Sequence, residues 1–296
     1  MGALDLGRTI AIGDIHGCSK ALRSVIEIIE PRADDTIVCL GDYIDRGPDS
    51  RDVIDQLLEL QKRCNVVTLL GNHEIMLMAV LHGSLPVDVW RENGGDSTIV
   101  SYGGSLDRIP VAHRRFLARC RHYHETESEI FVHAGYVAHL PLSEQPDQVL
   151  FWEHLMSIPP PPHISGRVAF VGHTPQRGGR IVNWGHLVCI DTYCFGGGYL
   201  TAVDCDTLDC WQSDRHGFLR PPSWKVTQRI RHWWSRLRLQ RQEWIMRERA
   251  ELAARRAAAG GAGSVKQDVL PEEKAPDPAP PTASAAGSPT MEDKLP

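Results

Sequence analysis

Val38-Cys39-Leu40-Gly41-Asp42-Tyr43-Ile44-Asp45-Arg46-Gly47-Pro48 is an apolar, β-branched run that stops at Gly41. Two carboxylates and an arginine follow before Gly47-Pro48 closes the turn. Taken alone, this is either a strand whose Asp residues cap the next helix, or a strand that delivers Asp42, Asp45 and Arg46 to one edge of a sheet. The same figure occurs twice more. Arg8-Thr9-Ile10-Ala11-Ile12 ends in Gly13-Asp14-Ile15-His16-Gly17, and the run 65–70 ends in Gly71-Asn72-His73-Glu74.

A helical pattern follows each turn. Apolar residues at 22, 25, 26 and 29 make one stripe, and Pro31 with Asp34-Asp35 ends it. Asp49 and Ser50 open a second helix, with Val53, Ile54, Leu57, Leu58 and Leu60 on its apolar side, and a third begins near Ile75. This alternation predicts an α/β fold with a largely parallel sheet and helices on its faces. Residues 83–125 read as a helical, polar insert containing Trp90-Arg91-Glu92-Asn93-Gly94-Gly95. Ile130-Phe131-Val132 and Val168-Ala169-Phe170-Val171 are further strands, ending at His133-Ala134-Gly135 and Gly172-His173-Thr174-Pro175. Residues 187–190 and 199–203 read as a strand pair around Gly196-Gly197-Gly198, with a last strand near 208–212.

The 296 residues leave room for a sizeable core. No apolar run approaches the roughly 18 residues that span a bilayer. The start, Met1-Gly2-Ala3-Leu4-Asp5, shows no secretory pattern, so a cytoplasmic protein is expected and the eight cysteines read as reduced thiols. The net charge of −5 is unevenly spread. Residues 1–221 hold 19 Lys/Arg against 28 Asp/Glu, whereas residues 222–256 hold ten Lys/Arg against three Glu. An acidic body argues against a nucleic-acid partner.

Five strands thus end in polar clusters: Asp14/His16, Asp42/Asp45/Arg46, Asn72/His73, His133 and His173. Loops after the carboxyl ends of parallel strands share one rim, where ligands bind. Two Asp, one Asn and three His form a mixed oxygen/nitrogen ligand set that suits Mn²⁺, Fe or Zn²⁺. Six ligands exceed the needs of one ion, so two metals are implied, with Asp42 central between them.

These turns resemble, in order and spacing, the three signature motifs of the PPP-type metallophosphoesterases, and the His133 and His173 motifs resemble the family's two later ones. The resemblance covers about residues 8–212 and is nearest the bacterial and phage branch of Ser/Thr (sometimes Tyr) protein phosphatases and symmetrical dinucleoside tetraphosphate hydrolases. It implies a calcineurin-like β-sandwich flanked by helices. It also implies two divalent ions, Mn²⁺ first: Asp14 and His16 on one, Asp42 bridging, and Asn72, His133 and His173 on the other. Phosphomonoesters would be hydrolysed by direct attack of a hydroxide shared by the ions, without a phosphoenzyme. Arg46 would clamp phosphoryl oxygens, and His73, oriented by Asp45, would protonate the leaving alkoxide. The branch has a second phosphate-binding Arg after a Trp; here His154 follows Phe151-Trp152-Glu153, so His154 substitutes or Arg167, Arg177 or Arg180 reaches in. No Walker A loop, G-x-S-x-G elbow or H-E-x-x-H competes.

The expected organisation is a catalytic domain over 1–221, a basic Trp/Arg-rich helical extension over 222–258, and a disordered Ala/Pro-rich tail over 259–296. The stripe within 224–256 has three readings: packing on the acidic body, a protein partner, or an anionic membrane surface. The expected enzyme is a monomeric Ser/Thr phosphoprotein phosphatase. The alternatives are a symmetrical bis(5'-nucleosyl)-tetraphosphate hydrolase and an inactive phospho-binding scaffold.

Overall fold

The computed structural model describes residues 7–221. The extension and tail expected beyond residue 221 lie outside the described residues. The chain runs β1 (Thr9–Ile12), α1 (Ser19–Ile29), β2 (Thr36–Cys39), α2 (Ser50–Leu60), β3 (Asn65–Thr68) and α3 (Asn72–Leu81). The insert follows as α4 (Val87–Trp90), α5 (Asp96–Ser101) and α6 (Val111–Ala118), and then β4 (Tyr123–Glu125) and β5 (Glu129–Val132). The rest is α7 (Asp147–Phe151), β6 (Val168–Val171), β7 (Val182–Asn183), β8 (Leu187–Cys189), β9 (Leu200–Asp204) and β10 (Cys210–Ser213).

Two five-stranded sheets form, ordered β10-β9-β1-β2-β3 and β4-β5-β6-β8-β7. Each has three parallel strands at its centre or one side, with antiparallel strands at an edge. The β-sandwich flanked by helices that the resemblance implies is therefore present, and the largely parallel sheet expected from the helix alternation is divided between two mixed sheets. The 187–190 and 199–203 strands are not a pair: β8 joins β6 in parallel in one sheet, and β9 joins β1 in the other. The insert also ends in a strand, β4, rather than in helix.

Strand alternation explains the layering. Ala11, Val38, Val67 and Val203 point from the first sheet to Phe131, Phe170 and Val188 of the second, and all are buried. Their neighbours Ile10, Ile12 and Ile37 face the other way, onto Leu22, Val25, Ile54 and Leu57 of α1 and α2. On the far side of the second sheet, Ile130, Val132, Ala169 and Val171 pack on Tyr136, Leu150 and Phe151. Burying each such Val, Ile, Leu or Phe side chain contributes roughly 1.5–3 kcal/mol. The result is helix, sheet, sheet and helix in layers, with every parallel strand feeding a loop toward the polar rim.

Gly41 permits the rim to close. Its φ is +104°, and a Cβ there would lie 2.8 Å from Gly71 N and 2.9 Å from His133 Nδ1. Asp49 caps α2, its side chain accepting from Asp52 N. All eight cysteines are free. Among the described residues no helix is long and apolar enough to cross a membrane.

Candidate metal centre

The rim is made of backbone that its residues ordinarily avoid. Asp42, Asp45 and Arg46 have φ of 51°, 70° and 67°, while His16 and His173 have 44° and 60°. Such left-handed geometry in non-glycine residues persists where surrounding bonds over-determine it. Glu74 supplies many of those bonds. Its buried carboxylate accepts N–H from Asp42 at 2.8 Å, Tyr43 at 2.8 Å, Ile44 at 3.3 Å and Gly71 at 3.0 Å. Burial, and then the Asp42 charge, push its carboxyl up to about 8, against the Tyr43 N–H that lowers it. Ile15 N and His16 N both donate to Asp42 O, at 3.0 and 2.8 Å, tying the first turn to the second.

Three imidazoles are fixed with one bare nitrogen facing inward. A carbonyl can only accept, so the ring nitrogen opposite it carries the hydrogen. His16 Nδ1 donates to Ile44 O at 2.9 Å, His133 Nδ1 to Leu40 O at 2.8 Å, and His173 Nε2 to Trp152 O at 3.1 Å. This leaves His16 Nε2, His133 Nε2 and His173 Nδ1 as lone-pair donors. Asp42 lies among them: Oδ2 is 3.4 Å from His16 Nε2, and Oδ1 is 3.5 Å from His133 Nε2. Asn72 Oδ1 is 3.1 Å from both His133 Nε2 and His173 Nδ1. Asp14 accepts His173 N–H at 3.0 Å on Oδ2 and at 3.2 Å on Oδ1.

Two groups of potential ligand atoms lie within 4.8 Å of one another, His16/Asp42/His73 and Asp42/His133/His173. Asp42 is common to both. The first contains His73 where Asp14 was expected, and Asp14 stands beside His173. The set fits divalent ions that take imidazole and carboxylate, since buried bare nitrogens converge on a carboxylate held for them. Arg46 Nη1 lies 2.9 Å from His16 Nε2, a cation against one of those lone pairs.

The electrostatics follow from this packing. Burial raises the Asp42 carboxyl, but His133, His73, His16 and His173 together pull it well below the carboxylate range. Burial, then Asp191 and Asp42, hold the Asp14 carboxyl well above its ordinary value. Burial lowers His16, His133 and His173, the last to about 3, with His133 adding to the effect. His73 goes the other way: burial lowers it, but Asp42 and Asp45 raise it further. His73 Nδ1 is 2.7 Å from Asp45 Oδ2.

Beside these ligands lies a cleft of about 450 Å³ lined by Asp42, Arg46, Asn72 and His173 together with His154 and Arg177. His154 stacks face to face on His173, with centroids 4.6 Å apart. Of the three arginines weighed as substitutes, Arg177 lines the cleft, while Arg167 is paired with Glu125.

Several residues here were not singled out from the sequence. Trp90 Nε1 and Thr98 Oγ1 both donate to the Asp45 carboxylate at 2.7 Å. Asp191, 3% exposed, follows β8, the last parallel strand of the second sheet. Burial pushes its carboxyl up to about 7. The run 187–190 followed by Asp191 shows the same strand-then-acid figure as Asp14 and Asp42, a signal hidden by reading 187–190 as half of a hairpin.

Residues 7–196 match the calcineurin-like phosphoesterase family. The chain belongs to that family. This phosphoesterase is 31% identical over 202 residues to serine/threonine-protein phosphatase 1 of Salmonella typhimurium, a match covering 64% of this chain and 88% of that protein. It is 34% identical over 131 residues to the symmetrical bis(5'-nucleosyl)-tetraphosphatase of Nitrosomonas europaea, covering 43% of this chain and 44% of that protein. The phosphoesterase therefore matches under half the length of the second relative. Its fold is shared with a cold-active protein-tyrosine phosphatase of a psychrophilic Shewanella, at TM-score 0.52 and 15% identity over 73% of this chain and 80% of that one.

Proposed function

We propose that this chain is a dinuclear-metal phosphoprotein phosphatase that hydrolyses phosphomonoesters of Ser and Thr residues. One observation carries the reading: the two oxygens of Asp42 lie 3.4 and 3.5 Å from histidine nitrogens of two separate ligand groups. That arrangement supports a carboxylate shared by two ions. Asp14 and His16 would hold one ion, and Asn72, His133 and His173 the other. When bound, such ions lower the pKa of a shared water and stabilise charge on a transferring phosphoryl group.

The protein's own groups supply the rest. Arg46, with its guanidinium at the edge of the ligand set, offers a planar fork for phosphoryl oxygens. His73 stays outside the ion set in this reading. Its Nδ1–H is held by Asp45, which leaves Nε2–H, 4.0 Å from Asp42 Oδ2, to donate to the leaving oxygen. Asp42 and Asp45 favour the imidazolium that this donation requires. The phosphoprotein substrate is supported by the relative matched over 88% of its length.

The test is a side-by-side assay of the Mn²⁺-loaded full chain on a phosphoserine peptide and on diadenosine tetraphosphate. The expected result is inorganic phosphate from the peptide at the higher kcat/KM. Faster cleavage of the dinucleotide to two nucleoside diphosphates would overturn the choice in favour of the tetraphosphate hydrolase. Asp42→Asn is expected to lower both Mn²⁺ content and turnover, and unchanged values would remove the shared-carboxylate reading itself.

A further inference from the structure

The insert brings Asn93-Gly94-Gly95 to the cleft without supplying a metal ligand. Arg91–Gly95 forms a wide turn between α4 and α5, broken at Gly94, whose φ is +105°. Gly94 O accepts the Arg46 N–H at 3.1 Å and the Ser97 hydroxyl at 2.9 Å. A Cβ on Gly94 would lie 2.7 Å from Arg46 Cγ and 3.0 Å from Arg46 N. The turn therefore meets Arg46 along both its backbone and its stem, with no room left for a methyl group.

Gly95 makes way for a second side chain. A Cβ there would lie 2.4 Å from Trp90 Cδ2. The indole packed on that glycine is the one whose Nε1 donates to Asp45. Adjacent glycines thus admit different neighbours, Gly94 the Arg46 stem and Gly95 the ring behind Asp45.

These contacts fall on a backbone that needs holding. Asp45 and Arg46 are consecutive left-handed residues, with φ of 70° and 67°. Asp45 N donates to Thr98 Oγ1 at 2.9 Å and to Ser50 Oγ at 3.1 Å, and Arg46 N donates to Gly94 O. The insert accepts from both N–H groups. Among the described residues Arg46 makes no ion pair; its guanidinium meets His16 Nε2 and the Phe195 ring. A guanidinium with no carboxylate to orient it depends on its stem for its aim, and a stem wedged at Cγ loses less freedom when the fork engages an anion.

We propose that Gly94 is a positioning residue for phosphoryl recognition: it holds the Arg46 N–H and admits the Arg46 stem, and so aims the guanidinium at phosphoryl oxygens. Gly95, through Trp90, serves the Asp45–His73 pair instead. The inference rests on the phosphoesterase reading of the metal centre and gives neighbouring glycines separate duties, one in binding and one in turnover.

A double-mutant cycle on the Mn²⁺-loaded full chain tests this, with inorganic phosphate as the calorimetric probe. Arg46→Ala is expected to weaken phosphate binding roughly thirtyfold and Gly94→Ala roughly tenfold. In the Arg46→Ala background, Gly94→Ala should change the affinity by less than about twofold, because the group it aims is gone. Gly94→Asn introduces a residue that tolerates positive φ and brings the same Cβ against Arg46, so it carries the test if Gly94→Ala fails to fold. Gly95→Ala should lower kcat on a phosphoserine peptide about tenfold and leave phosphate affinity within about twofold. Manganese content should hold in every variant. Phosphate bound equally well by Gly94→Asn and the unmodified chain would overturn the proposal, as would losses that add in the double variant. Manganese lost in step with phosphate would also overturn it, by making the turn a support of the metal ligands. The same kcat and affinity changes in Gly94→Asn and Gly95→Ala would remove the division of duties. If the unmodified chain and Arg46→Ala bind phosphate alike, the Arg46 clamp fails and Gly94's role with it, while the metal centre stands. If the unmodified chain neither binds phosphate nor cleaves a phosphoester, the metal-centre reading itself falls.

Discussion

The Asp45 carboxylate takes three donors at 2.7 Å: His73 and Trp90 Nε1 on Oδ2, and the Thr98 hydroxyl on Oδ1. His73 therefore owes its ring orientation to a carboxylate that the insert, through α4 and α5, holds from behind. Removing one buried donor leaves Asp45 short of a partner, at a stability loss of about 1–3 kcal/mol. Trp90→Phe should accordingly lower kcat on a phosphomonoester by about tenfold, with KM and Mn²⁺ content unchanged. Steady-state kinetics with metal analysis checks this, and a change confined to KM would show that the indole acts elsewhere. The strand-end residues Asp14, His16, Asp42, Asn72, His133 and His173 were legible because each follows an apolar run that stops abruptly. Trp90 was not, because nothing near Trp90-Arg91-Glu92 records which distant carboxylate its indole will meet. Asp191 lay between these cases: its local pattern was present, but a wrong strand partner concealed it.

At the scale of elements, one ion pair ties three together. Asp35, immediately before β2, is fully buried and binds Arg8, immediately before β1, through Nη2 at 2.5 Å and the backbone N at 2.9 Å. Arg8 Nη2 also donates to Ile29 O and Glu30 O, the free carbonyls at the end of α1. Burial raises the Asp35 carboxyl, but Arg8 and the Arg32 N–H bring it down to about 2. Its folded pKa is thus below the unfolded value of about 3.9. The ionised group stabilises the fold above about pH 4, and this contribution disappears as pH falls toward 2. With Arg8 partly in solvent, the term is on the order of 1–2 kcal/mol. Urea midpoints between pH 5 and 2 should fall less steeply for Asp35→Asn than for the unmodified chain, and parallel curves would refute the assignment. Helices and most strands were legible from period and turn residues, because those signals are local. The partner of β8 was not. Two short apolar runs around three glycines have the signature of a hairpin, yet the loop between them crosses from one sheet to the other. That outcome is decided by Val188, which pairs beside Phe170 in the second sheet and joins one buried cluster with Val38 and Val203 of the first, a neighbourhood no window of sequence contains.

At the scale of the whole molecule, the two sheets meet at a rim that concentrates negative charge. Asp14, Asp42 and Asp191 lie at the ends of β1, β2 and β8, at most 4% exposed, and the Asp191 and Asp42 charges help burial to hold the Asp14 carboxyl up. A fold that gathers carboxylates this way is less stable without cations than with them. Ligands that bind the folded chain and not the unfolded one stabilise it by mass action, each site adding about 2.7 kcal/mol at a hundredfold excess over Kd. For a domain of this size 1 kcal/mol shifts Tm by about 2–4 °C, so two filled sites should raise it by about 10 °C or more. The prediction is that a chelator lowers Tm and that Mn²⁺ restores it in a concentration-dependent way. Because Asp42 is common to both ligand groups, Asp42→Asn should abolish most of the shift rather than half of it. Calorimetry of the chelated and reloaded chain decides this: a half-sized shift in Asp42→Asn would mean two independent sites, and equal Tm values with and without Mn²⁺ would mean that the rim does not hold ions.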